Sequence, residues 1–175
     1  MIASINKYGG FYVARYEMGD GAANISRIGV TPLSAAENEA NMWYGLYKRA
    51  EAYNKTGVTS GKIWGSQYDA MLNFALTNSL DQAKVNAKTN GNHSGSKLKT
   101  GTWLGSSNEA DKINNIFDLE GNMNEWTQEA YHASERVLRG DYYGSADWHS
   151  PSYRGDDFPF RTYNYSSRLS LYINV

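Results

Sequence analysis

The sequence predicts an α+β fold. Three observations carry that reading: two helical patterns lie in the first half, strand-like runs sit near both ends, and long irregular stretches separate them. A parallel α/β protein would alternate strand and helix instead. The 175 residues are one domain's worth, and at that length folding buries roughly 70% of the extended-chain surface. The expected organisation is one domain over 1–175, with the fold and composition also suiting the C-terminal domain of a longer protein.

The elements follow in order. Gly10-Phe11-Tyr12-Val13-Ala14-Arg15-Tyr16-Glu17 alternates apolar and polar residues after a glycine pair and reads as a strand. Ser34-Ala35-Ala36-Glu37 is a capping box, in which the serine hydroxyl serves an orphan helix N–H and the glutamate reaches back. Ala36, Ala40, Trp43, Tyr44, Tyr47 and Ala50 then recur at helical spacing, so a helix is expected over about 35–53, ended by Thr56-Gly57. A second helix is expected over 67–78, capped by Ser66, with Met71, Leu72, Ala75 and Leu76 on one face. Residues 79–115 are rich in Asn, Lys, Gly and Ser and predict a surface excursion anchored by Leu98, Trp103 and Leu104. Order returns at 116–126, a short strand follows at Arg136–Arg139, and the chain closes on Leu169-Ser170-Leu171-Tyr172-Ile173. Pairing the first and last strands would close the domain.

Composition removes several functions. The chain has no cysteine, so disulfides, thiolate metal sites and cysteine nucleophiles are absent. Seventeen basic and eighteen acidic residues are scattered along it and form no basic stripe, which argues against nucleic acid as a partner. No apolar run approaches the ~20 residues that span a bilayer, and the start MIASINKYGG has no signal-peptide core, so membrane insertion is not expected.

The segment from Asp141 to Arg168 is unlike the rest. It lacks Leu, Ile, Val, Met, Lys, Glu and Gln, while five Tyr, five Ser, four Asp and one Asn fill 15 of its 28 positions. Tyrosine offers a large, stiff, amphipathic contact area, and Ser, Gly and Asn adapt their hydrogen bonds, which is why paratopes favour this composition. Exposed aromatics at such density are costly unless something covers them. A ligand-binding surface over about 139–173 is therefore expected, as against a solvated loop with no partner. The residues expected to face the ligand are Asp141, Tyr143, Ser145, Asp147, His149, Tyr153, Asp156, Asp157, Phe158, Tyr163, Asn164 and Tyr165.

Several motifs carry a resemblance. "GGFYVARYE", "IWGSQYDAMLNFAL", "NIFDLEGNMNEWT", "RVLRG" and "SSRLSLYI" together resemble the formylglycine-generating-enzyme-like (sulfatase-modifying factor) branch of the C-type lectin fold, from about Lys7 to Ile173. The resemblance implies two helices with short antiparallel strands and long loops. The oxidising enzymes of that group act through paired cysteines, which are missing here. The related sulfoxide synthases need a histidine-rich iron site, whereas His93, His132 and His149 are isolated in sequence. A second branch resembles the chain better: the variable proteins of diversity-generating retroelements, whose C-terminal lectin-fold segment is rewritten at adenines. Randomising the adenines of an AAC-type codon gives Asn, Tyr, Ser, Asp, His, Phe, Gly and Thr among others, and never Lys, Glu, Gln, Met or Trp. On this pattern Trp148 is fixed framework or derives from another codon type. Asn124 stands where that branch usually carries an aromatic ring.

What the resemblance implies is a non-enzymatic binder, displayed on a phage or bacterial surface, that recognises a protein or glycan on a cell. A homo-oligomer would add avidity. The rivals are a structural virion or cell-surface domain and a cysteine-independent enzyme. No cofactor is expected. Asn122 and Glu125, with Asp118, carry oxygens of the kind calcium takes, but calcium wants six to eight, and hydrogen bonds within a tight turn are the competing reading. Asp141, Asp147, Asp156 and Asp157 read as solvated loop acids rather than an acid–base pair. Arg139-Gly140-Asp141 and Arg154-Gly155-Asp156 spell a tripeptide that integrins read, here taken as chance. Sequencing the DNA around the gene tests the retroelement resemblance. The expected outcome is a near-copy of the codons for 139–173, differing mainly at adenines, beside a reverse transcriptase; neither would be found by an unrelated chain.

Overall fold

A computed structural model of the chain describes residues 2–19, 26–33, 42–53, 55–78, 82–88, 91–101, 112–145, 148–161 and 164–173. Helix α1 spans Ile2–Tyr8, β1 spans Tyr12–Val13 and α2 spans Met42–Glu51. Strand β2 (Val58–Lys62), α3 (Gly65–Asn78) and α4 (Gln82–Asn86) follow, then β3 (Lys112–Ile113) and β4 (Ile116–Phe117). The remainder is β5 (Asn124–His132), β6 (Glu135–Arg139), β7 (Arg154–Asp157), β8 (Tyr165–Ser167) and β9 (Leu169–Ile173).

The first and last strands do pair. Strand β9 is central in an antiparallel sheet ordered β1-β9-β2, with Tyr12 opposite Leu171 and Lys62 opposite Leu169. The expected first strand shrinks to two residues, because beyond Val13 the chain bonds singly instead: Ala14 N–H donates to Leu169 O and Met18 N–H to Ser167 O. A second sheet runs β7-β6-β5-β8, antiparallel except for the parallel β5–β8 pair. Strands β3 and β4 join through Asn114-Asn115, both at positive φ, the backbone that a two-residue hairpin turn demands.

Both expected helices exist, with changes. In α2 the buried stripe is Met42, Leu46 and Ala50 with Gly45, while Tyr44 is exposed and Trp43 and Tyr47 stack on its flank. The aromatic pattern therefore marked a neighbouring face, since Tyr and Trp suit a boundary as well as a core. The capping box at 34–37 lies outside the described residues. In α3 the face Met71, Leu72, Ala75 and Leu76 packs as expected. Its start is two residues early: Gln67 Oε1 accepts the Trp64 N–H at 2.8 Å, the reach-back half of a capping box.

Two apolar clusters form the core. One gathers Met18, Met42, Leu46, Trp126, Leu138 and Leu169; the other gathers Ile63, Tyr68, Met71, Leu72, Val85 and Leu119. The 79–115 excursion is held differently from expectation. Leu98 is half-buried, and Trp103 and Leu104 lie outside the described residues. The apolar anchors seen are Val85 and Ile113, both in the second cluster, and polar ones join them: buried Thr100 donates to Arg27 O at 2.5 Å, and buried Asn92 donates to Asn122 Oδ1 at 3.0 Å.

Near the first cluster lies a fully buried arginine. Arg168 donates through Nε and Nη2 to Glu125 at 3.2 and 2.5 Å, through Nη1 to Ala14 O at 2.9 Å, and through Nη2 to Phe117 O at 2.7 Å. It thus ties the start of β9 to β5, to the segment after β1, and to the end of β4. Beside it Glu17 is buried and takes Asn122 Nδ2–H at 2.8 Å. Burial, with Asp118 and Glu125 nearby, pushes the Glu17 carboxyl well above the usual carboxylate range. Removing one partner of a buried pair leaves an uncompensated charge at a cost of about 3–5 kcal/mol. Arg168→Met should lower stability by about that much in urea unfolding at neutral pH. The Glu125→Met/Arg168→Met double variant should lose less than Arg168→Met alone.

Candidate functional site

The candidate site is built on β6, β7 and the loops that follow them. Chain reversal after β6 requires Gly140, which sits at φ +71°, and a Cβ there would meet Leu119 O at 2.7 Å. Strand β7 then returns along β6, with Gly155 opposite Leu138, which puts Arg154 and Asp156 on the solvent face. The turn after β7 bonds to α2, where Trp43 N–H donates to Pro159 O at 3.0 Å. Asn164, at φ +60°, accepts the Asn124 N–H through its carbonyl and feeds the chain into β8.

Two residues expected at the ligand face are interior. Asp141 is 1% exposed: its carboxylate accepts Tyr142 N–H at 2.9 Å and His149 N–H at 3.0 Å, which closes the loop between them. Ser145 is 2% exposed and donates to Tyr142 O at 3.0 Å, with His93 Nδ1 3.2 Å from its hydroxyl. Short polar side chains can be buried wherever backbone donors and acceptors meet them. Asp157, read as a solvated acid, is a bracket: it accepts Phe158 N–H at 2.7 Å and the Tyr165 hydroxyl at 2.5 Å, and lies 3.4 Å from Arg161. Burial first, and then that bond to Asp157, push the Tyr165 phenol well above its ordinary pKa.

The rings are paired rather than pooled. Tyr143 meets Tyr142 edge-on at 5.8 Å, His149 stacks on Tyr153 at 3.6 Å, Phe158 stacks on Phe160 at 5.4 Å, and Tyr165 stacks on Trp126 at 4.9 Å. Among the described residues no ring contact joins Tyr143, Tyr153, Phe158 and Tyr165 to one another. Tyr143, His149, Tyr153, Asn164 and Tyr165 are half-buried, whereas Asp156 and Phe158 are exposed. Asp147 and Tyr163 lie outside the described residues.

Sequence reasoning missed part of the exposed set. Trp148, expected as fixed framework or as the product of another codon type, is 59% exposed, and Phe160 is 55% exposed. Arg161 is solvent-facing, and Arg154 makes a two-nitrogen pair with Glu129 of β5. The aromatic density of 148–160 was the available signal for both rings. Of the two Arg-Gly-Asp runs, the first is buried at Arg139 and Asp141, and the second is held in β7. The oxygens weighed for calcium accept protein hydrogen bonds. Glu125 faces the Arg168 guanidinium, and Asn122 Oδ1 accepts from Leu98 N–H at 2.9 Å and from Asn92. Asn124 is buried where a ring was expected, beside Tyr165 in the β5–β8 register.

No family model and no curated protein sequence matches this chain. Solved structures do. PvdO from Pseudomonas aeruginosa superposes with a TM-score of 0.61 at 12% identity, over 93% of this chain and 80% of that one. CarF and Treponema denticola variable protein 1 each superpose with a TM-score of 0.52 at 15% identity, over 98% of this chain and 80% of theirs. The fold is therefore α+β and C-type-lectin-like. At such identities the likeness speaks for the fold alone.

Stability should divide the rings as burial does. Replacing Phe158 and Phe160 together by Ser should change unfolding free energy by under about 1 kcal/mol. Tyr165→Ala, which empties a stack on Trp126 and strands the Asp157 bond, should cost about 3 kcal/mol. Thermal and urea unfolding of the two variants check the contrast.

Proposed function

We propose that the chain is a ligand-binding protein of the variable-protein kind, carrying a changeable C-terminal surface on a lectin-like scaffold. One observation carries this reading: residues 139–168 are divided between side chains that hold the backbone and side chains that do not. Asp141, Ser145, Asp157, Ser167 and Arg168 bond inward or to the loop itself. Trp148, Asp156, Phe158, Phe160 and Arg161 face solvent. Exchange of the second group alters what is recognised and leaves the first group in place.

The likeness to Treponema denticola variable protein 1 supports this reading through the shared scaffold. Its partner would be a protein or glycan on a cell surface, met by a chain displayed on a virion or cell. Aromatic anchors with adaptable polar neighbours suit such a target, and paired rings on a hydrogen-bonded loop keep the ordering cost of binding low. No helix among the described residues is long and apolar enough to cross a membrane. Binding rather than catalysis is the proposed role, because the paired-cysteine chemistry of the oxidising enzymes has no residues here.

The test is a display library in which 148, 156, 158, 160 and 161 are randomised and selected against an unrelated protein. Most members should melt within a few degrees of the parent, and selection should return binders whose affinity depends on those positions. A library that mostly fails to fold, or yields no binder, overturns the proposal.

A further inference from the structure

Two arginines are almost completely buried, and they differ in what surrounds them. Arg168 has every guanidinium nitrogen engaged. Arg139, 2% exposed at the end of β6, makes a single hydrogen bond, from Nη2 to Asp69 Oδ1 at 2.6 Å. Its Nε has no acceptor, and Nη1 makes no bond among the described residues. The Tyr68 ring lies 4.7 Å below the guanidinium, which stabilises the charge but accepts none of its five N–H donors in line. Unmet donors on a buried cation are costly, so the arrangement calls for an acceptor.

There is room for one. Arg139 lines a pocket of about 300 Å³ between α3, α4 and the C-terminal segment. Leu72, Leu76 and Val85 form an apolar wall, Asn73 and Ser152 line the rest, and Asp69 stands at the opening with its second carboxylate oxygen unbonded among the described residues. A cation, an anion and an aliphatic wall in one small cavity match three parts of one kind of molecule.

We propose that this pocket binds a small aliphatic amino acid, its carboxylate on Arg139, its ammonium on Asp69, and its side chain against Leu72, Leu76 and Val85. A guanidinium fork suits a planar carboxylate, and charge-assisted bonds of this type are the stronger ones. The site is separate from the exposed face of β7 and its following turn, and it does not depend on the proposed role of that face. Among the described residues of 141–168, Ser152 alone lines it, held by Ser152 Oγ–H donating to Asn86 Oδ1 of α4 at 3.0 Å.

The experiment is an amide NMR titration of the ¹⁵N-labelled full chain with L-leucine. Saturable shifts are expected for residues 69–76, 139 and 152, with a Kd of roughly 1 mM or tighter. L-Leucinamide, which lacks the carboxylate, and 4-methylpentanoate, which lacks the ammonium, should each bind at least about tenfold more weakly, the loss of one charge-assisted contact. Arg139→Gln should abolish the shifts. Asn73→Trp, at an exposed position on the pocket rim, should block them without loss of cooperative melting, and it decides the matter if Arg139→Gln does not fold. No saturable shift below about 20 mM leucine overturns the proposal, as do equal affinities for the three probes or unimpaired binding by Asn73→Trp.

Discussion

The ion pair between Arg168 and Glu125 is the constraint on which the remaining structure rests. It is buried, so its charges have lost their hydration, and only close geometry offsets that loss. The geometry is close because one guanidinium, placed just before β9, reaches three separate pieces of chain: β5, the segment after β1 and the end of β4. Burial pushes the Glu125 carboxyl above the usual carboxylate range, with Arg168 pulling the other way, and the guanidinium donates to both of its oxygens. Around that pair the two sheets take their relative places. Strand β8 adds beside β5 just before Arg168, and β9 adds between β1 and β2 just after it.

This arrangement explains how a segment so rich in Tyr, Ser and Asp stays ordered without aliphatic residues. Backbone pairing with β6 and β5 holds β7 and β8, and small carboxylates and hydroxyls close the loops between them. The aromatic rings do two jobs. Tyr153 and Tyr165 pack on the first apolar cluster, and Trp148 and the stacked pair Phe158 and Phe160 stay exposed. Such a division lets the surface be large and stiff at once.

Much of the fold was legible in the sequence, for reasons that particular residues make plain. Met71, Leu72, Ala75 and Leu76 are wholly apolar at helical spacing, and they marked α3 and its face without ambiguity. Leu169, Leu171 and Ile173 marked β9 as a strand but not its face, since Ile173 is exposed while Ser170 and Tyr172 are buried. The buried face of α2 was misplaced because Trp43, Tyr44 and Tyr47 outweigh Met42 and Leu46 in a pattern that scores aromatics as core. Strands β7 and β8 left no trace, since Arg154-Gly155-Asp156-Asp157 and Tyr165-Ser166-Ser167 carry no apolar alternation. Asp141 and Ser145 look like surface residues in any composition, and only the backbone donors around Asp141 and the backbone acceptor beside Ser145 show otherwise. Arg168 and Arg139 were hidden for the same reason: a buried charge is set by its neighbours in space.

The order in which the chain leaves the ribosome gives this architecture a further property. Strands β1 and β2 are made early, yet the strand that joins them emerges about a hundred residues after β2. At ~5–20 residues per second that is a wait of roughly 5–20 s. Arg168 appears equally late, and a premature stop or shifted reading frame anywhere in 141–167 removes both. Such a product has no central strand and no buried cation, so it exposes its interior and becomes prey to proteolysis. Because the buried cation and the central strand both lie downstream of residues 141–167, only a chain translated intact through that stretch can complete its core.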